Sequence, residues 1–162
     1  MSLLIVYSSG KKIQYISNII NERYDSDIVE VKDLNRKKGF LNNLKSNYAA
    51  FRNNTTKISP EHIDLEKYNL ILLGCPSTLG NISPALNTLI ANCDFSNKDV
   101  MIYTTTNGTN ATGVLKQMKK AVDKKHGKVV NSFIIRTNNK TNQELLINTV
   151  KLLPQLDIDL YI

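Results

Sequence analysis

The chain has 162 residues, of which 41% are hydrophobic and 22% charged, with a formal net charge of +7. Those values describe one soluble globular domain over residues 1–162, large enough for a core of its own. They exclude a membrane-embedded chain, because every apolar run is only a strand long, and no basic-then-apolar leader or stop-transfer pattern is read.

Residues 3–7, LLIVY, are a continuous apolar run and predict a first strand inside a sheet. Ser8-Ser9-Gly10 reads as a turn, and Ile13, Ile16, Ile19 and Ile20 mark one face of a helix starting near Lys11. Ile28, Val29 and Val31 predict a second strand, with Glu30 interrupting as suits an edge or near-edge position. A basic connection follows over residues 33–40, then a short helix from about Leu41 to Arg52 with Leu44, Tyr48 and Phe51 on one side. Residues 53–67 read as a polar loop in which Ser59-Pro60-Glu61-His62 could open a single turn.

The run Leu70-Ile71-Leu72-Leu73 predicts a third strand buried on both faces, ending at Gly74-Cys75-Pro76 and a loop of small polar residues. Ser83-Pro84 marks a helix start, and Leu86, Leu89, Ile90 and Cys93 share its inner face. Val100 to Tyr103 predicts strand four, running into a second long polar loop, TTTNGTN. The next helix has Val114, Leu115, Met118, Ala121 and Val122 on its apolar face and Gly127 as terminator. Val129 to Ile135 predicts strand five, and Thr141-Asn142-Gln143-Glu144 has capping-box spacing for a last helix that Pro154 ends.

Strand and helix thus alternate five times, which predicts a three-layer α/β fold with an open, parallel, five-stranded sheet and helices on both faces. Of the topologies left, 2-1-3-4-5 is the common five-strand order, and its ligands sit on the loops at the carboxyl ends of the strands.

Other chemistries lack their residues. Gly10-Lys11-Lys12 has neither the earlier glycine nor the following Ser/Thr of a nucleotide-binding P-loop, and no G-x-G-x-x-G follows the first strand. Tyr7-Ser8-Ser9 offers no acidic residue for a phosphoacceptor site, and no arginine follows Cys75 as a cysteine phosphatase needs. His62 and His126 read as surface residues; no catalytic residue and no metal site is assigned. Cys75 and Cys93, without metal-ligand spacing, read as buried thiols of a reducing, cytoplasmic setting. The basic excess is spread along the chain and densest at Lys116, Lys119, Lys120, Lys124, Lys125 and Lys128. This stretch reads as a solvated helix face, with no recognised nucleic-acid motif beside it.

Three loops rich in Gly, Ser, Thr, Asn and Pro, with G-x-P-x-x-x-G-N-x-S-P at Gly74, Pro76, Gly80, Asn81, Ser83 and Pro84, give the chain a resemblance to the flavodoxin family over essentially its whole length. SNYAAFRNN, residues 46–54, also looks like a connecting helix of that group. The resemblance implies a flavodoxin-like fold, FMN as cofactor, and an oxidoreductase or electron-transport role as a one- or two-electron carrier or small flavin reductase. It places the phosphate on Ser8, Ser9, Gly10 and Lys11. It places the flavin ring between Pro76, Ser77, Thr78, Leu79, Gly80 and Asn81 on one side and Thr105, Thr106, Asn107 and Gly108 on the other. The first loop is shorter than the family pattern, and Thr78 stands where relatives usually carry a tryptophan. Those departures motivate the alternative of a flavodoxin-fold module that has lost FMN and serves in binding or assembly. Carriers of this family are generally acidic, so a charge of +7 implies a redox partner with an acidic docking surface, and no membrane.

Overall fold

The computed structural model describes residues 3–35, 56–108 and 110–162. The expected helix at 41–52, the basic connection beyond residue 35 and the 46–54 resemblance lie outside them.

Five parallel strands form the sheet: β1 (Leu3–Ser8), β2 (Asp27–Asp33), β4 (Leu70–Pro76), β5 (Asp99–Thr106) and β6 (Lys128–Arg136). A sixth, β3 (Ile58–Ser59), pairs antiparallel with the end of β2, giving the order β3-β2-β1-β4-β5-β6. The expected 2-1-3-4-5 order is therefore present with one short edge strand added. No turn opens at Ser59-Pro60. Ser59 and Ile58 pair instead with Lys32 and Asp33, the Leu34 amide donates to the Lys57 carbonyl at 2.8 Å, and Ile58 is buried.

Alternation within the central strands builds a core on each face. Leu4, Val6, Ile71, Leu73, Val100 and Ile102 face helices α2 (Pro84–Asn92) and α3 (Ala111–Asp123), which contribute Leu86, Leu89, Ile90, Val114, Met118 and Val122. Leu3, Ile5, Leu70, Leu72, Met101 and Tyr103 face α1 (Lys11–Tyr24) and α4 (Asn142–Leu152), which contribute Ile13, Ile16, Ile20 and Leu145. Thr141 and Glu144 form the expected reciprocal capping box. After α4, Pro154 diverts the chain into short 3₁₀ turns whose Leu153, Leu156 and Ile158 return to this second core.

Two strands run further than their apolar sequence. Gly74 lies within β4, in register with Tyr7 of β1 and Tyr103 of β5, and the missing side chain makes room for the Tyr103 ring. That ring stacks on Phe133, with centroids 5.0 Å apart and planes at 7°, and its hydroxyl donates to Ser17 Oγ at 2.6 Å while Ser17 donates to the Ile13 carbonyl. In β5, Thr104, Thr105 and Thr106 are buried strand residues, not loop. Thr104 Oγ1 donates to the Cys75 carbonyl at 2.7 Å and Thr106 Oγ1 accepts from the Gly108 amide at 3.0 Å, so these two buried hydroxyls cost the sheet little. At the end of α3 the left-handed residue is His126, with φ 63°, and not the expected terminator. Gly127 is required by packing, since a methyl there would lie 2.6 Å from Val122 Cγ1 and 2.8 Å from Phe95 Cβ.

Both cysteines are free and buried, and enclosure pushes the Cys75 thiol up to about 12. Because the folded value is raised above that of an unfolded thiol, Cys75 contributes stability below pH 9 that is lost as pH rises toward 12. At pH 8, Cys75 is expected to resist a disulfide-exchange reagent in the native protein and to react promptly in 8 M urea (roughly full unfolding for a domain of this size). Rapid native labelling would contradict its burial.

Candidate functional site

Strands β1, β4 and β5 are neighbours and parallel, so their carboxyl-end loops share one edge of the sheet. This edge gathers Ser8, Ser9, Gly10 and Lys11 from the first loop, Pro76 to Asn81 from the second, and Asn107 and Gly108 from the third, with Thr105 and Thr106 as the last strand residues beneath.

The first loop passes directly into α1. Its cap residue, Gly10, supplies no side chain, the first turn holds no acidic residue, and the first intrahelical bond runs from the Gln14 amide to the Gly10 carbonyl at 2.9 Å. The amides of Lys11, Lys12 and Ile13 thus have no acceptor within the helix, and the positive end of the dipole is uncompensated. Beside them, Ser8 Oγ is buried without a hydrogen-bond partner among the described residues, and Ser9 Oγ makes only a 3.5 Å bond to the Val31 carbonyl. An uncapped helix start beside an orphaned hydroxyl is the chemistry of an anion site. Lys11 is exposed at this mouth. Lys12 is not part of it, since its Nζ donates to the Lys140 carbonyl and Asn142 Oδ1, both at 3.2 Å.

The first two loops touch: a methyl on Gly10 would meet Pro76 Cγ at 3.4 Å. Beyond Pro76, the Ser77 amide donates to the Thr105 carbonyl at 2.8 Å, and Thr78 and Asn81 pair across a tight turn. Its central residues, Leu79 and Gly80, have φ of 51° and 72°, as a mirror-image type I′ turn demands. Glycine adopts that conformation freely; leucine does so at a cost, and here presents its side chain 60% exposed at the rim. Beside Thr78, the second loop thus presents an aliphatic side chain and no aromatic ring. Ser83 precedes α2 as expected, with Pro84 in the first turn, but its hydroxyl makes no capping bond.

Three residues that the sequence did not single out brace these loops. Gln117, midway along α3, donates from Nε2 to the Gly80 carbonyl and accepts from the Ile82 amide at Oε1, each at 3.1 Å. The Asn110 side chain lies against both Gly80 and Gly113, so the second and third loops abut. Thr137, just after β6, donates to Asn107 Oδ1 at 2.6 Å, while Thr106 Oγ1 accepts from the Gly108 amide at 3.0 Å. Asn107 and Thr106 are thereby engaged in holding the third loop. His62 and His126 are both exposed, and His62 Nδ1 lies 3.0 Å from the Asn92 carbonyl, far from this edge in the fold. The described residues contain no group of His, Cys, Asp or Glu able to hold a metal ion, and no helix long and apolar enough to cross a membrane.

Comparison with known proteins places this architecture. No curated protein matches the chain. Among solved structures, it is similar to a candidate flavoprotein from Bacteroides uniformis, at 13% identity and TM-score 0.72, covering 93% of this chain and 97% of that one. It is also similar to a flavoprotein in complex with FMN from Lactobacillus acidophilus, at 22% identity and TM-score 0.65, covering 83% and 92%. A third, general stress protein 14 in complex with FMN from Treponema denticola, shares 10% identity at TM-score 0.59 over 98% and 99%. These likenesses show the fold. A family model described as flavodoxin matches residues 29–145, and the chain belongs to the flavodoxin family.

Proposed function

We propose that the protein binds FMN at the loop edge and carries electrons, one or two at a time, to and from an acidic redox partner in a reducing cytoplasm. The observation that carries the reading is the uncapped start of α1 beside the orphaned Ser8 hydroxyl, at the edge where all three loops meet. The residues fit the group. Ser8, Ser9, Gly10 and the first amides of α1 supply donors for a phosphate, with Lys11 adding charge at the mouth. Pro76 to Asn81 and Asn107-Gly108 would flank the ring, with Leu79 giving an apolar wall in place of aromatic stacking. FMN supplies the redox chemistry; the protein's part is to seat it, exclude water from one side and present its edge. Two relatives in the same fold were solved with FMN, which supports the choice of cofactor. A net charge of +7 supports an acidic partner, because complementary potentials raise encounter rates.

A flavin-free binding module is the second reading, favoured by Leu79 at the position beside the missing ring. Ser8→Ala separates the two. Without ligand, removing an unsatisfied buried hydroxyl is expected to raise stability by about 1 kcal/mol in urea unfolding. With saturating FMN the gain should vanish or reverse, because the hydroxyl then has an anion to bond. A gain of equal size with and without FMN would show that the phosphate is not seated on Ser8.

A further inference from the structure

We propose that the cleft between α2 and α3 is the docking site for the acidic partner, and that it receives an amphipathic segment carrying carboxylates along one face and apolar side chains along the other. This deepens the reading above, from which the acidic partner is taken. The cleft has a volume of about 610 Å³, and its lining divides by chemistry. The exposed Ala91 and the half-buried Ala121 form a small apolar floor over the enclosed Ile82 and Ile90, while Lys120, Lys124 and Lys125 line its α3 side. Lys116, Lys120 and Lys124 recur every fourth residue, which aligns three ammonium groups along about 12 Å of helix. They continue onto a shallow adjoining surface that Lys116, Lys119, Lys120, Asp123 and Lys124 line.

The surface is strongly unbalanced. Among the described residues its one acid, Asp123, is held by Lys119 at 2.8 Å, and none of Lys116, Lys120, Lys124 or Lys125 makes a salt bridge. Apolar floor and cationic rim together choose the partner. A duplex phosphate backbone would use the lysines and leave the floor uncovered, and among the described residues the lining offers no aromatic ring on which a single-stranded base could stack. A protein segment with alternating chemistry fills both. The position also fits the function: Gln117, on the cleft wall, is the residue that holds the Gly80 carbonyl and Ile82 amide of the second loop. A partner seated here therefore lies against the brace of the candidate flavin wall.

The test uses the full chain, isotope-labelled, and a synthetic helical peptide with Glu on one face and Leu on the other. Polyglutamate of equal length and a short DNA duplex serve as comparison probes. Salt-sensitive binding of the amphipathic peptide is expected, with amide shifts concentrated at Ile82, Ile90, Gln117 and Ala121. The double variant K120E/K124E should weaken it at least tenfold, against twofold or less for K57E/K151E, which makes the same change in net charge elsewhere. Equal weakening by both variants, equal affinity for polyglutamate or DNA, shifts confined to other surfaces, or no peptide binding would each overturn the proposal. Circular dichroism checks that both variants keep the fold. Peptide binding is read with and without added FMN: absent flavin binding with intact, cleft-centred peptide binding counts against the cofactor and not against the docking site.

Discussion

Gly74→Val is expected to abolish folding, and Gly74→Ala to lower stability by about 3 kcal/mol in urea unfolding. Gly74 is fully enclosed in β4, and a methyl group there would lie 2.6 and 2.7 Å from the Cε1 and Cε2 atoms of Tyr103. The ring cannot retreat. It is sandwiched against Phe133 and tied through its hydroxyl to Ser17 of α1, so its displacement would break a stack and orphan a buried hydroxyl together. The cause can be isolated with Tyr103→Ala. That change alone should cost about 3–5 kcal/mol as a large cavity, but adding Gly74→Ala to it should then cost less than about 1 kcal/mol. Additive losses would place the intolerance in the backbone and not in the ring.

The second large effect is on the site. Gly80→Ala is expected to weaken FMN binding by tenfold or more, about 1.4 kcal/mol, while leaving the global unfolding transition cooperative. Two costs combine at this residue. Its φ of 72° is left-handed, which disfavours an L side chain by about 1–2 kcal/mol. A methyl would also collide with the Asn110 side chain, the contact through which the second and third loops abut. The turn must then shift away from Gln117, whose bonds to Gly80 and Ile82 set its height above the sheet. Combining Gly80→Ala with Asn110→Ala should restore part of the affinity, since the clash disappears and the backbone strain remains. Unchanged affinity in Gly80→Ala would mean that the Thr78–Asn81 turn does not form a wall of the flavin site.

What was legible in the sequence follows from range. Central strands announce themselves because burial on both faces forces continuous apolar runs, as in Leu3–Tyr7 and Leu70–Leu73. Helix starts with local chemistry, Ser83-Pro84 and Thr141 to Glu144, were equally visible. β3 was not, because two residues become a strand only by finding Lys32 and Asp33 far away in sequence. Thr104 to Thr106 looked like loop because their hydroxyls are polar; in the fold the Thr104 hydroxyl turns to a nearby carbonyl and that of Thr106 to a nearby amide, while β-branched side chains suit the sheet. That the three loops share one sheet edge was legible from their small and polar residues together with the family pattern. Gln117, Asn110 and Thr137 carried no local signal, since a brace is defined by what it touches across the fold. His126 took the left-handed position that composition alone assigns to Gly127.

The central claim is that the loop edge seats FMN, and direct titration tests it most simply. FMN added to the purified protein should lose its fluorescence saturably, with a shifted visible spectrum and a dissociation constant in the micromolar range, about −8 kcal/mol. The affinity should fall in Ser9→Ala and in Gly80→Ala. Unchanged flavin fluorescence and spectrum at FMN concentrations well above micromolar would contradict the cofactor assignment and leave the fold to serve as a binding module.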